Sequence, residues 1–213
     1  MVPFVKEATP ISHMAPIDTQ TEPAPPRVRA DKARNRERIL VAAREAFSAH
    51  GTETQMGDVA TRAGVGVGTV YRHFPTKEAL MGEMVRQKFA LIAEHAREGL
   101  EEDGEPFEVF ASVLYRNCEA TAHDAAAQDA LMRAAEHVWD QAQDVLDEMH
   151  GLVQQLIDRA QAAGTMRQDF SVDDMGMLMC GVSASMAHSE WDWRRHLALL
   201  LDGLRTQPTP SAP

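Results

Sequence analysis

GVGVGTVYRHFPTKEAL, residues 64–80, is the stretch on which the reading of this chain turns. Its three glycines, Gly64, Gly66 and Gly68, invite comparison with a phosphate-cradling loop. A dinucleotide fingerprint needs G-x-G-x-x-G after a strand. Here the glycines are spaced by two, the preceding segment has helical period, and no Lys-Ser/Thr follows in the P-loop position. The phosphate-loop reading fails on spacing and on context. A short helix over 67–74 fits better. Val70 and Phe74 are four apart and share one face, which can pack on Ile39, Phe47 and Val59. Gly68, Thr69 and Arg72 then point the opposite way, with Tyr71 and His73 on the flanks. Gly64 and Gly66 make the turn from the helix before. The result is a helix-turn-helix whose outer face suits a DNA major groove. Gly68 lets the N-terminus of the second helix approach a duplex closely.

The flanking sequence completes the unit. A first helix is predicted over 33–50, with Ile39, Ala43 and Phe47 in one row beside Leu40, and Gly51 closing it. Thr54 is the expected N-cap of a second helix that turns Val59, Ala60 and Ala63 inward and stops at Gly64. Pro75 ends the third helix, and Thr76 can cap a fourth, Lys77 to Glu101, roughly 37 Å long at 1.5 Å per residue. Further helices are predicted over 106–122, 126–135, 138–163, 172–188 and 191–204. That over 138–163 is apolar around more than half its circumference and so belongs at the centre. There is no internal repeat and no alternating strand pattern.

The expected fold class is all-α with about nine helices: an N-terminal three-helix helix-turn-helix domain joined to a C-terminal helical bundle. Six of the eleven prolines lie in residues 1–26 and three in 206–213, so both ends read as disordered tails. Residues 27–76 are expected to form the helix-turn-helix domain with a basic arm, and 77–205 the helical body.

Charge separates the two parts. Residues 27–88 hold 12 Lys/Arg against 7 Asp/Glu, net +5, while the rest holds 9 against 25, net −16, giving −11 for the chain. A basic third on an acidic body is the pattern of a protein in which only that third meets a polyanion. The first 26 residues lack an apolar signal-peptide core and no 18-residue apolar run occurs, so a cytoplasmic protein without a membrane partner is expected. Cys118 and Cys180 have no metal-type spacing and no CxxC occurs; small buried hydrophobes are the simplest reading.

RILVAAREAFSAHG (38–51) and MGDVATRAGVGVGTVYRHFPTKEALM (56–81) together resemble the DNA-binding domain of the TetR/AcrR family of bacterial transcriptional repressors, and Tyr71 to Leu80 carries the specific part of the match. AQAAGTMRQDFSVDDM (160–175) is similar to a connector of one subgroup. The chain departs from the family at Gly66-Val67, where a Ser or Lys often stands. The resemblance implies that Tyr71 and His73 meet phosphates and that Lys77 grips the backbone at a helix N-terminus. Thr69 and Arg72 are left to read base edges, guanine being the commonest partner of Arg. The full expected DNA-binding set is Arg34, Thr54, Gln55, Val67, Gly68, Thr69, Tyr71, Arg72, His73 and Lys77. The arm, with Arg27, Arg29, Lys32, Arg34, Arg36 and Arg38, resembles basic extensions that enter a minor groove or neutralise phosphates. The competing readings are a packing aromatic for Tyr71, a core-edge histidine for His73, and solvated charge for Arg72 and the arm.

The resemblance further implies that the body dimerises and binds a small effector. Gly176, Cys180, Ser183 and Ala187 form a stripe of small side chains, and Trp193, Leu197, Leu200 and Leu204 an apolar stripe on the last helix. Together they make the expected homodimer interface. On the helix from Pro106, the apolar row Phe107, Phe110, Ala111 and Leu114 runs on into Asn117, Cys118 and Thr121. Polar groups on an inward face need partners, from a neighbouring helix or from a ligand. The expected effector site is therefore Asn117, Cys118, Thr121, Met132, Trp139, Met175 and Met179; the alternative is a satisfied buried Asn beside a packed Cys. No HExxH or G-x-S-x-G motif occurs, and no enzyme activity, metal or cofactor is expected. The expected function is a ligand-responsive transcriptional regulator, a repressor released from double-stranded, palindromic operator DNA by a small-molecule effector. The alternatives are a helical small-molecule-binding protein with a vestigial helix-turn-helix, and a metal sensor using some of the nine histidines.

Overall fold

Apolar residues recurring every three to four positions form nine α-helices among the residues described by the computed structural model, 26–122, 136–188 and 190–206. They are α1 (Pro26–His50), α2 (Met56–Ala63), α3 (Val67–His73), α4 (Lys77–Glu101), α5 (Pro106–Thr121), α6 (Glu136–Asp140), α7 (Gln143–Ala162), α8 (Val172–Met186) and α9 (Trp193–Leu204). A single 3-10 turn, Gly51–Glu53, separates α1 from α2. The only β pairing among the described residues is an isolated bridge between Met166 and Arg205. The helix expected over 126–135 lies outside the described residues, as do the expected tails except for Pro26 and Thr206.

The helix starts are made by side-chain oxygens that accept otherwise unpaired N–H groups. Thr76 Oγ1 accepts from Ala79 at 3.1 Å. The Glu105 carboxylate takes both Phe107 and Glu108 at 3.0 Å, with Pro106 behind it in the first turn. Asp192 takes Arg194 and Arg195, so α9 begins at Trp193, two residues later than the apolar pattern predicts. Gly64 sits at φ 61° and closes α2, a backbone state that a side chain would disfavour.

Three expectations are corrected. First, α1 starts at Pro26 rather than 33, so the basic arm is helical from its first residue. Second, Thr54 does not cap α2. It is buried, and its hydroxyl donates back to the Ala46 and Gly51 carbonyls, tying the end of α1 to the turn; Gln55 occupies the cap position, its N–H received by Asp58. Third, the long helix over 138–163 is broken at Gln141-Ala142 into α6 and α7. The break packs into α4: a Cβ on Gly82 would lie 2.8 Å from the Gln141 side chain, and Arg86 donates to the Gln141 carbonyl at 3.1 Å. A notch on one helix thus sets the corner in another.

The core is continuous from end to end. Ile39, Leu40, Phe47, Val59, Val70, Phe74 and Leu80 fill the N-terminal unit, which is the packing expected for α3. Phe107, Phe110, Leu156, Ile157, Met166 and Leu197 fill the body. Helix α7 packs on α4, α5 and α8, the central position that its apolar circumference requires.

Two glycines in helix interiors separate propensity from packing. A Cβ on Gly99 would fall 2.5 Å from a Val113 methyl inside the α4–α5 contact, whereas nothing lies within 4 Å of one on Gly151. Removing a helical glycine gains about 1 kcal/mol, while overpacking costs about 1–3 kcal/mol. Gly151→Ala is expected to raise the urea midpoint and Gly99→Ala to lower it; equal shifts of the same sign would show that the helices are not in this register.

Candidate DNA-binding face and effector cavity

Helix α3 buries Val70 and leaves Val67, Gly68, Tyr71 and Arg72 exposed, with Thr69 and His73 half-buried at its edges. A Cβ on Gly68 would meet nothing within 4 Å, so the front of the helix is open to a duplex. Arg72 has no ion-pair or hydrogen-bond partner among the described residues and presents its whole guanidinium. His73 sits where α1 and α3 meet. Partial burial, with Lys32 and Arg36 nearby, holds its imidazole below the usual histidine range. Three basic side chains therefore converge at this point with no carboxylate among the groups that shift the imidazole.

The remaining expected DNA contacts divide. Gln55 is exposed at the start of α2, with its side-chain amide donating to the Glu53 carbonyl. Arg34 is exposed and paired with Asp31 one turn earlier. Lys77 is engaged within the protein: its ammonium donates to the Thr52 carbonyl and lies 5.7 Å above the Phe47 ring. Thr54 is buried and cannot reach a duplex. Within the arm, Arg36 pairs with Glu83 at 2.8 Å and stacks 5.3 Å over Phe74, while Arg38 donates to the Ala63 carbonyl at 2.6 Å. These two hold α1 to α2, α3 and α4; Lys32 and Arg34 are the arm's outward cations. Arg27 and Arg29 lie in α1, with side chains outside the described set.

Behind this unit, helices α4 to α8 line a partly open cavity of about 400 Å³. Of the expected site, Asn117, Thr121, Trp139, Met175 and Met179 line it. Cys118 is fully buried behind the wall, where burial pushes its thiol up to about 12. Met132 lies outside the described residues. The Asn117 Oδ1 accepts from His95 Nδ1, and the Thr121 hydroxyl donates to the Asn117 carbonyl at 3.0 Å. The polar end of α5 is thus partly satisfied from α4 and still faces the cavity.

Sequence reasoning missed the contribution of α4. Lys88, Phe89 and Ile92 form one wall, and desolvation in this setting lowers the Lys88 pKa. The signal was present: Lys88 interrupts the helical row Met81, Val85, Ile92. On α8, Gly176, Cys180 and Ser183 border the cavity, yet Gly176 and Cys180 are also exposed, so Cys180 is not the buried thiol expected from the sequence; Ala187 is exposed just past the end of α8. Trp193, Leu197 and Leu204 are buried within the protomer, and Leu200 is half-buried. The outward apolar groups are Met177, 77% exposed, and Leu199, 52% exposed, flanking a shallow groove between α8 and α9.

Residues 39–84 match the profile of the bacterial regulatory proteins of the tetR family, and residues 105–206 that of the C-terminal domain of SbtR-like transcriptional regulators. The crystal structure of a TetR transcription regulatory protein from Mycobacterium vanbaalenii is 33% identical, with a TM-score of 0.59 over 84% of this chain and 99% of that one. The HTH-type transcriptional repressor KstR of Mycobacterium tuberculosis is 30% identical over 135 residues, 63% of this chain and 61% of that protein. The regulator FadR from Bacillus subtilis, solved in complex with stearoyl-CoA, shares the fold at 20% identity and a TM-score of 0.66, over 79% and 98% of the two chains. The matched stretches span 38–61% of the length of the curated relatives. An open α3, with an arginine that has no partner among the described residues, held in front of a partly open cavity, agrees with both profiles: the chain belongs to the TetR family of bacterial transcriptional regulators.

Proposed function

We propose that the protein is a repressor that grips a two-fold operator as a homodimer and lets go when a small molecule fills the cavity. The observation that carries this reading is the placement of α4. Its neighbouring residues Gln87 and Lys88 face different units: Gln87 receives Arg44 of α1 at 2.5 Å, while Lys88 lines the cavity. Further along, Arg86 pairs with Asp144, and Arg97 with Glu148 at 2.5 Å, fastening α4 to α7. A molecule that moves this helix moves the recognition unit with it. In a dimer on an operator the spacing of the two α3 helices is set by the DNA, so a small displacement lowers affinity. By linkage the effector then binds the DNA-free form more tightly by the same factor, about 5–150-fold for a coupling of about 1–3 kcal/mol. The repressor activity of KstR and the ligand held by FadR support the two halves of the reading.

The proposed dimer uses the outward surface of α8 and α9, where Met177 and Leu199 stand clear of the protomer core. Two copies packed there form a four-helix interface with two-fold symmetry. Among the described residues no helix is long and apolar enough to cross a membrane, and no group of three or more His, Cys, Asp or Glu is placed to hold a metal. The proposed setting is the cytoplasm, where the operator lies.

Genomic fragments selected by the purified protein and then footprinted are expected to show two half-sites related by a two-fold axis. Their centres should lie about 34 Å, or a multiple, apart. Protection of one asymmetric half-site by a monomer would sink the dimeric reading, and effector binding without any DNA binding would sink the repressor.

Arg72 and Tyr71 are expected to differ in kind. Arg72→Ala should weaken operator binding by about 1–3 kcal/mol and relax base preference at one position. Tyr71→Phe removes a neutral hydroxyl, so it should weaken all sequences alike and leave the salt slope unchanged. Binding curves for both variants on operator and scrambled duplexes, at several salt concentrations, check this; a Tyr71→Phe variant that alters base preference would contradict the assignment.

His73 ties binding to pH. In the free protein its depressed pKa keeps the ring neutral, because protonation adds a third charge beside Lys32 and Arg36. A phosphate docked there favours the protonated ring, so binding takes up a proton. Operator affinity is expected to rise as pH falls through about 6.5, the ordinary histidine value, and His73→Gln to flatten that rise. Anisotropy titrations of labelled operator across this range provide the measurement; a wild-type slope of the opposite sign would remove the phosphate from His73.

A further inference from the structure

We infer that the molecule taken by the cavity is an amphipath with an anionic head, the head held by Lys88 of α4 and Asn117 of α5. The inference rests on the reading of the cavity as the effector site and names the ligand class. The lining is mainly apolar, with Phe89 and Ile92 on one side and Met149, Val153, Met175 and Met179 opposite. No Asp or Glu is among its lining residues, and Lys88 is the one lysine or arginine. An ammonium in such a place is costly unless an anion accompanies it.

Nothing described in the protein supplies that anion. Lys88 has no ion pair among the described residues; its Nζ lies 5.8 Å from the centre of the neighbouring Phe89 ring. The groups that act on its charge are the thiols of Cys180 and Cys118, and Cys118 is held protonated by its burial. Cys118 adjoins Asn117 in the chain, so the ammonium and the amide belong to the same region of the wall. The Asn117 Oδ1 is taken by His95, which leaves the amide N–H groups without a partner among the described residues. An ammonium and an N–H₂ group, both donors, face a site whose acceptors are neutral, the hydroxyls of Thr121 and Ser183 and the side chains of Gln143 and His150, with no carboxylate among the lining residues. A carboxylate satisfies both, and charge-assisted bonds of this kind are the strong ones. The apolar remainder suits a flexible tail, since methionine walls adapt to irregular shapes. At about 400 Å³ the space is in the ordinary range for small-molecule sites.

Two probes that differ only in the head, decanoate and decan-1-ol, test this by calorimetric titration into the full-length protein, Lys88→Met and Met179→Trp. Circular dichroism and cooperative melting establish that each variant is folded. The wild type is expected to bind decanoate about tenfold or more tighter than decan-1-ol, the scale of a hydrogen bond to a charged group. Lys88→Met is expected to bring the two affinities together, and Met179→Trp, which fills the cavity, to weaken both. Equal affinities in the wild type, or a preference that survives Lys88→Met, overturn the anionic head while the cavity reading stands. Wild-type affinity for both probes in a folded Met179→Trp places the probes elsewhere and overturns both readings. Binding of neither probe overturns the amphipath, and operator release by a different effector would then still uphold the repressor.

Discussion

Helix α4 belongs to two cores at once, and the architecture follows from that sharing. Its first turns bury Leu80, Met81, Met84 and Val85 against the recognition unit, and its last turns bury Ala93, Ala96 and Gly99 against α5 and α7. A three-helix unit of this size has too little apolar surface to be comfortable alone. Docking on α4 supplies the missing part. The same helix is then a wall of the cavity through Lys88, Phe89 and Ile92. Stability of the helix-turn-helix unit and the shape of the cavity are thereby written into one element.

The contacts that fasten α4 are unequal. Arg36–Glu83 and Arg86–Asp144 are partly exposed ion pairs, and pairs of this kind contribute about 0–1 kcal/mol each. Their value lies in orientation. The close approach at Gly82, which admits the Gln141 corner, and at Gly99, which admits Val113, is steric and cannot slide without clashes. Close-packed contacts of this kind switch between arrangements more readily than they deform. In the proposed release mechanism, a wedge in the cavity would move α3 by such a switch.

Polar side chains divide at both ends of the molecule into those with partners inside the fold and those without one among the described residues. Arg36, Arg38, Thr54 and Lys77 all have partners within the fold, and each was a sequence candidate for DNA. Arg72 and the Asn117 amide N–H groups are left without one among the described residues. Residue type alone could not separate the two groups, because a guanidinium on a basic helix looks the same whether it closes a helix end or waits for a phosphate.

The sequence by itself determined the helices, the helix-turn-helix and the family, since these rest on local periodicity, capping chemistry and the fixed spacing of Tyr71 to Leu80. The start and end of α4, the burial of Val70 and Phe74, and the inward polar run at Asn117 and Thr121 were all legible for that reason. Only the tertiary structure decided which neighbour each face meets. It set the small residues of α8 along the edge of the cavity, broke α6 from α7 over a notch at Gly82, sank Thr54, and put Lys88, half-buried, on a mainly apolar wall. A helical period says that a face is buried or polar. It carries no information about what lies opposite, because that depends on residues tens of positions away and on the space they leave.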